Sequence, residues 1–241
     1  MGFLLSAIKI IFLLGFLVFI HESGHFFVAK WCKIKVNEFA LGFGPTIWSK
    51  QGKVTKYALR AIPLGGFVSM EGEEEPSEAE GAFNKAPIWK RILIVAAGGT
   101  VNIIFALIVF WCLSTAFVGP KNAFYNVGYY IKTMVYSIKD LFTGHIGIDQ
   151  MAGPVGISNA VAKTSSFADF IYLLSVISLS LGVTNLLPFP PLDGGKIVLL
   201  IIEKIIRRPL NQKFEVILQS IGMILLLTLS AFVTYNDILK L

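Results

Sequence analysis

Long apolar stretches alternate with polar, basic connections along this chain. Four of them are long enough as helices to cross a bilayer core of about 30 Å, and they are Phe3–Ala29, Ile92–Val118, Phe167–Leu187 and Phe214–Val233. The pattern predicts an α-helical polytopic membrane protein with four transmembrane helices. Residues 1–241 are expected to form a single membrane core.

Residues 38–70, between the first two helices, have a different pattern. Glu38–Trp48 and Lys56–Met70 are rich in β-branched and aromatic residues and are interrupted by glycine and proline, as in a hairpin of two short strands. Because these segments are apolar yet too short to span, we expect a membrane-associated, re-entrant β region, which is tolerated only where protein or water satisfies the backbone. The glutamate-rich run Glu71–Glu80 is expected to be a solvated loop without a site.

Residues 122–143 carry apolar side chains at near-helical spacing, with Lys132 and Lys139 between them. This pattern favours an amphipathic helix before the third span, lying at the outer membrane interface. An aromatic stripe of this kind is typical of packing, so it predicts no cofactor.

Composition supports the membrane assignment. Apolar residues make up 55% of the chain, and only 15% are charged. The formal charge of +6 does not indicate nucleic acid as a partner, because in a membrane protein basic residues set the topology. The two cysteines, Cys32 and Cys112, are too few for a disulfide framework and are expected to be reduced.

The basic residues are distributed unevenly between the loops. The first loop carries ten of the 21, the loop between the third and fourth helices carries five, and the intervening loop carries four. By the positive-inside rule, both termini lie outside and the two basic loops lie in the cytoplasm.

The first span contains the motif His21-Glu22-Ser23-Gly24-His25. Two histidines four residues apart project from one face of a helix, which suits them to bind one metal ion. Glu22 falls beside that face, where it can accept a proton from a water at the metal and return it to a leaving amine. The alternative is a pair of packing histidines hydrogen-bonded to a neighbouring helix. Three ionisable groups at this depth are costly if they are unpaired, so a function is the simplest explanation for their presence.

The depth of the motif follows from the helix rise. Lys30 and Trp31 mark the cytoplasmic interface, and Ser23 lies seven residues earlier. At 1.5 Å per residue, the metal is expected about 10 Å inside the bilayer.

A catalytic zinc needs a third protein ligand and one open position. His145 and Asp149 lie in the loop assigned to the outer side, which excludes them, whereas Asp193 lies at the cytoplasmic end of the third helix. The preceding Pro188, Pro190 and Pro191 interrupt the helix, so Asp193 can turn inward; without the histidine motif, a helix stop with a surface aspartate would be preferred.

Asn185 precedes this proline-rich segment and offers both a donor and an acceptor at membrane depth. It could hold an extended substrate backbone or polarise its carbonyl.

Together the motifs resemble the site-2 protease family, in particular the bacterial branch that releases anti-sigma factors and clears signal-peptide remnants. HESGH is similar to the family's HExxH, and Asn185–Gly194 is similar to its N-x-x-P-x-P-x-L-D-G. Pro63–Phe67 resembles its glycine-rich strand near the metal, and Gly153–Ile157 resembles a further family segment.

The resemblance implies Zn²⁺ on His21, His25 and Asp193, and Glu22 as the acid/base. It also implies that substrate is held by Asn185 and by the strand containing Gly65, Gly66 and Phe67. The implied partners are single-span membrane proteins already cut by another protease, in the bacterial inner membrane. Pairing of the strand with an unwound substrate is the expected mode of binding.

Two departures and two rivals accompany the resemblance. No segment between Val118 and Gly153 is large enough for the family's outer PDZ domain. Gly98-Gly99 stands where the family commonly has Gly-Pro, and no consequence is attached to this difference.

A metal-binding transporter would carry ionisable residues along a path, which the second and fourth helices lack. A catalytically silent scaffold would be expected to have lost Glu22 or a ligand.

Overall fold

A computed structural model describes residues 2–143 and 153–240. The order of the elements is α1 (Gly2–Trp31), β1 (Val36–Gln51), β2 (Lys56–Met70), α2 (Ile88–Val118), α3 (Pro120–Thr143), α4 (Pro154–Ala162), α5 (Phe167–Asn185), α6 (Asp193–Ile206) and α7 (Gln212–Leu239). His145 and Asp149, which were assigned to a solvated loop, lie outside the described residues.

Within the described residues, four helices are long and apolar enough to cross a membrane: α1, α2, α5 and α7. The prediction of a mainly helical protein with four spans is confirmed. The bounds differ at several ends, since α2 begins at Ile88 and α5 ends at Asn185. Pro188 disfavours helical geometry in the residue before it, so the third span could not extend to Leu187 as predicted.

Two helices lie where the sequence suggested only connections, and α6 is the one that matters for the site. It begins at Asp193 directly after the proline-rich segment and has 14 residues, which is short of the roughly 20 that a spanning helix needs. The extended segment predicted here is therefore limited to the residues before Asp193.

The two strands pair as an antiparallel sheet; β2 has the predicted bounds, whereas β1 extends beyond the predicted Glu38–Trp48 at both ends. The strands bend at glycines, so Phe39 in the first half of β1 lies opposite both Val68 and Tyr57 of β2. Gly65 has a φ of +103°, a conformation that other residues rarely adopt. Residues 66–70 pair on one side with the first half of β1.

The chain divides into two compact units. The first contains Met1–Ile10, Ile103–Ser180 and Ile221–Leu241, and the second contains Ile11–Asn102 and Leu181–Ser220. The second unit has a hydrophobic core in which buried residues of α1, the sheet, α2 and α6 meet, among them Phe26, Phe39, Ile94 and Leu200. All the predicted site residues belong to this unit.

Candidate metal centre and its surroundings

His21 and His25 lie one turn apart on α1 and face the same point. Their ring centroids are 4.9 Å apart and the rings are nearly perpendicular. The two Nε2 atoms are 3.3 Å apart. This is the arrangement that the four-residue spacing predicts on a helix.

Asp193, in the first turn of α6, completes a triangle with the two histidines. Its Oδ2 lies 3.3 Å from Nε2 of His21 and 3.4 Å from Nε2 of His25. Within the described residues, these three side chains are the group of potential ligands close enough to hold one metal ion. The carboxylate also lies at the N-terminal end of a helix, where the helix dipole stabilises negative charge.

The spacing of the three atoms fits zinc. Tetrahedral ligands at about 2.0–2.1 Å from a zinc ion are about 3.3–3.4 Å from one another. The observed separations of 3.3, 3.3 and 3.4 Å match this value. Two imidazoles and a carboxylate form a donor set found in catalytic zinc sites, which leave the fourth position open.

The other ring nitrogens contact α2. Nδ1 of His25 is 2.8 Å from the carbonyl oxygen of Ile94, to which it can donate a hydrogen bond. Nδ1 of His21 is 3.4 Å from the side-chain nitrogen of Asn102. A carbonyl that accepts from Nδ1 fixes the orientation and tautomer of a metal-binding histidine and leaves the Nε2 lone pair available, as Ile94 does for His25; the amide of Asn102 can do the same for His21 when its oxygen is turned toward Nδ1.

Gly98 of α2 lies directly beneath both imidazoles. A Cβ on this residue would lie 2.7 Å from Cε1 of His25 and 2.8 Å from Cε1 of His21, which is closer than atoms can approach without displacement. The absence of a side chain at Gly98 therefore makes room for the rings.

Sequence reasoning missed Asn102 and attached no consequence to Gly98. Both carried a signal, because a buried asparagine inside an apolar span needs a polar partner, and small residues in a membrane helix mark a close approach.

Glu22 is half-buried beside the three potential ligands. It lies close enough to interact electrostatically with His21, His25 and Asp193. A Cβ added to Gly66 of β2 would lie 3.0 Å from Cγ of Glu22. The predicted acid/base and the predicted substrate-holding strand are therefore neighbours.

The remaining predicted substrate residues are placed less directly. A side chain on Gly65 would collide with the ring of Phe43, and the Phe67 ring lies 4.9 Å from the Arg60 guanidinium carbon. Asn185 is the last residue of α5 and is half-buried. Among the described contacts, none joins Asn185 to the three potential ligands. Its role and that of Phe67 stay predictions.

The glutamate-rich run after β2 forms no helix or strand, as the sequence predicts, but two of its glutamates pair with basic residues. Glu71 accepts hydrogen bonds from Lys35, Asn37 and Ser77, and these hydrogen bonds lower the pKa of Glu71 to about 2. Glu73 forms an ion pair with Lys196 of α6. The prediction of a loop is confirmed, but composition alone does not show that Glu71 and Glu73 would find basic partners.

Comparison with known proteins agrees with the geometry. The family model described as peptidase family M50 matches residues 9–229. "Putative zinc metalloprotease FN1322" of Fusobacterium nucleatum is 26% identical over an alignment covering 100% of this chain and 99% of that protein. "Putative zinc metalloprotease CA_C1796" of Clostridium acetobutylicum is 27% identical, with 93% of this chain and 94% of that protein covered.

A protein of Vibrio cholerae with the same description is 45% identical over 109 residues, which cover 43% of this chain and 24% of that protein. The alignment with the Fusobacterium protein spans 348 positions, so that relative has residues without a counterpart among these 241. The prediction that a PDZ domain is missing stays a prediction.

The family resemblance predicted from the histidine motif and the proline-rich segment is thereby confirmed. With four candidate spans and a match over nearly its whole length, this chain belongs to peptidase family M50, the site-2 protease family, and is a membrane metalloprotease.

Proposed function

We propose that this protein is an intramembrane zinc endopeptidase that hydrolyses peptide bonds within transmembrane segments of single-span proteins. The observation that carries the proposal is the triangle formed by Nε2 of His21, Nε2 of His25 and Oδ2 of Asp193. Its two histidines belong to a helix long and apolar enough to cross a membrane, where such a cluster would be costly without a function.

In this proposal His21, His25 and Asp193 hold the zinc ion, with the ring orientations set by Ile94 and Asn102. When bound, zinc acts as a Lewis acid on a carbonyl and lowers the pKa of water in its open position. Glu22 accepts the proton of the attacking water as that water adds to the scissile carbonyl. Glu22 then returns the proton to the amide nitrogen as the C–N bond breaks.

The substrate-holding role is assigned to the strand that contains Gly65, Gly66 and Phe67. Gly66 lies opposite Leu41 and Phe67 lies opposite Ala40, and each has this one partner within the described register. An unwound substrate segment could therefore add to the other side of the strand, next to Glu22. Asn185 would hold the substrate backbone through its amide.

The setting follows from the family resemblance and the distribution of charge. The proposed substrates are membrane proteins that another protease has already shortened, such as anti-sigma factors or remnants of signal peptides. We place the protein in the bacterial inner membrane with both termini outside. The metal would lie about 10 Å from the cytoplasmic interface.

Cleavage of a single-span substrate by the reconstituted protein tests the proposal. Glu22→Gln should retain zinc but lose about 10²–10⁴-fold in rate, the usual contribution of a general acid or base. Asp193→Ala should lose zinc, and chelation of zinc from the unaltered protein should stop cleavage until zinc is restored. Glu75→Gln, which alters an exposed glutamate, is the matched control and should cleave normally.

Equal cleavage by Glu22→Gln and the unaltered protein would overturn the mechanism. Full zinc content and activity in Asp193→Ala would overturn the assignment of the third ligand. A protein that binds zinc but never cleaves would favour a silent scaffold.

A further inference from the structure

The face of α6 that begins with Asp193 also carries two charged residues that the zinc chemistry does not use, Lys196 and Glu203. Asp193, Lys196, Leu200 and Glu203 follow one another at helical spacing, so they lie along one side of the helix. Lys196 forms an ion pair with Glu73, and Glu203 forms an ion pair with Arg91. The helix that begins with the proposed third ligand is therefore attached by one ion pair to the loop after β2 and by the other to α2.

The pair closer to the metal centre joins α6 to the loop after β2. Nζ of Lys196 lies 2.5 Å from Oε1 of Glu73, and the Glu73 side chain is only 14% exposed. Burial by itself would lower the pKa of Lys196, but the attraction of Glu73 outweighs that effect and raises the pKa above its ordinary value. The ammonium thus stays charged, and each charge of the pair compensates for the cost of burying the other.

The loop that carries Glu73 is itself held by hydrogen bonds on both sides of that residue. The backbone N–H of Glu71 donates to the carbonyl of Lys35, and the Glu71 carbonyl accepts from the N–H of Phe83. The side chain of Gln212 donates to the carbonyl of Glu74. Glu73 is therefore held just after β2, the strand whose Gly66 lies beside Glu22.

Lys196 is also one turn from Asp193 on α6. Its charge acts on Asp193 as well as on Glu73, and the charge of Glu73 acts on Glu22. A change at either partner would therefore alter the charge balance around the metal centre.

We propose that Lys196 and Glu73 are a pair of positioning residues, which lock the first turn of α6, and hence Asp193, to the loop that follows the proposed substrate-holding strand. The inference rests on the proposed function, because it treats Asp193 as a zinc ligand. In this proposal both residues act through the position of Asp193.

The Arg91–Glu203 ion pair provides a matched control. Its atoms are 2.6 Å apart, and the two side chains are 14% and 13% exposed, so it is at least as buried as the first pair. Glu203 is ten residues beyond Asp193, about 15 Å along the helix. Loss of this pair should weaken the attachment of α6 without moving its first turn.

The experiment measures zinc affinity by competition with a chelator, and thermal unfolding in detergent, for the whole chain of 241 residues. Lys196→Met and Glu73→Gln should bind zinc about 10–100-fold more weakly, the usual effect of losing a residue that orients a ligand. Glu203→Gln should lower the unfolding temperature by about as much as Lys196→Met and Glu73→Gln do, while its zinc affinity changes by less than about twofold. Lys196→Arg and the exchange Glu73→Lys with Lys196→Glu should recover most of the affinity.

The result that would overturn the inference is unaltered zinc affinity in Lys196→Met and Glu73→Gln, because the pair would then be structural only. Equal losses of affinity in Glu203→Gln would overturn it as well. If Lys196→Met does not fold, Glu73→Gln and the charge exchange decide between these outcomes. Asp193→Ala separates the two proposals. Unaltered zinc affinity in Asp193→Ala would overturn the assignment of Asp193 as third ligand. A loss of affinity in Asp193→Ala together with normal affinity in the Lys196 and Glu73 variants would overturn only the positioning role of the pair.

Discussion

The four ring nitrogens of His21 and His25 fall into two sets with different surroundings. The two Nε2 atoms converge on Oδ2 of Asp193, and the two Nδ1 atoms face Ile94 and Asn102 on α2. A proton on Nδ1 leaves the lone pair on Nε2 free for a metal. The helix that packs beside the motif therefore determines which nitrogen is available.

Gly98→Ala should damage the metal centre although it adds only one methyl group. The new Cβ would lie 2.7–2.8 Å from carbon atoms of both imidazoles, so the rings must leave the positions in which both Nε2 atoms face Asp193. We expect at least a tenfold loss of zinc affinity, measured by chelator competition, because ligand orientation typically contributes that much.

Gly15→Ala is the control for that substitution, since a Cβ on Gly15 of α1 meets nothing within 4 Å. It should leave zinc affinity unaltered. Normal zinc binding by Gly98→Ala would show that the rings have more room than the structure gives them.

Asn102→Leu should separate ring orientation from direct binding. Asn102 is fully buried and faces Nδ1 of His21, and an amide can present its oxygen to a protonated Nδ1. Leucine has a similar volume but cannot accept that hydrogen bond, so we expect zinc affinity to fall about 10–100-fold. Asn102→Gln, measured in the same chelator assay, should lose less, and equal affinities in all three proteins would exclude the orienting role.

At the scale of residues, the sequence identified the groups that are chemically distinctive. His21, Glu22 and His25 form a local motif, and Asp193 follows a recognisable break in a helix. Asn102, Gly98 and Lys196 act through contacts between elements, which spacing along the chain does not encode. Their contacts with the histidines and with Glu73 follow from how α1, α2, α6 and the loop after β2 pack together.

At the scale of elements, α4 is held by opposite charges at its two ends. Asp237 of α7 accepts a hydrogen bond from the N–H of Gly156 at 2.8 Å, near the N-terminus of α4. Lys9 of α1 donates to the carbonyl and hydroxyl of Thr164, just past its C-terminus. This arrangement complements the helix dipole, and it gives two charged residues of membrane-spanning helices a structural role.

Asp237→Asn and Lys9→Met should each destabilise the protein by about 1 kcal/mol, the usual value of a charged helix cap. Thermal unfolding in detergent would measure the loss. Zinc affinity should stay normal, because the proposed ligands all lie in the other compact unit. Tyr235→Phe, at an exposed position on α7, serves as the control, and unfolding temperatures equal to that control would argue against capping.

The elements predicted best were the long ones. Four spans and a hairpin follow from apolar length and β-type composition, whereas α6 was missed because its apolar run is too short to span and follows three prolines. The second strand was predicted with its observed bounds, whereas the first was predicted too short, because its pairing with β2 continues to Val36 at one end and to Gln51 at the other. Short elements depend on what they pack against, and this information is not local.

At the scale of the whole molecule, the orientation in the membrane stays a prediction that rests on charge. Ten basic residues lie in the segment Lys30–Arg91, and five more lie in the segment Lys196–Lys213. Loops of this kind remain on the cytoplasmic side. Because the histidine motif lies near the end of α1 that leads into the first basic loop, the orientation also decides from which side water and substrate reach the metal.

Single cysteines labelled with a membrane-impermeant maleimide would test this orientation. In a background with Cys32→Ser and Cys112→Ser, Lys163→Cys between α4 and α5 should react in intact spheroplasts. Lys53→Cys in the turn between β1 and β2 should react only after the membrane is disrupted. Both lysines are exposed, so both cysteines should react in detergent, which controls for accessibility. The reverse pattern would place the hairpin and the metal centre on the outer side, and the proposed cytoplasmic-side cleavage would then be wrong even if the zinc chemistry is right.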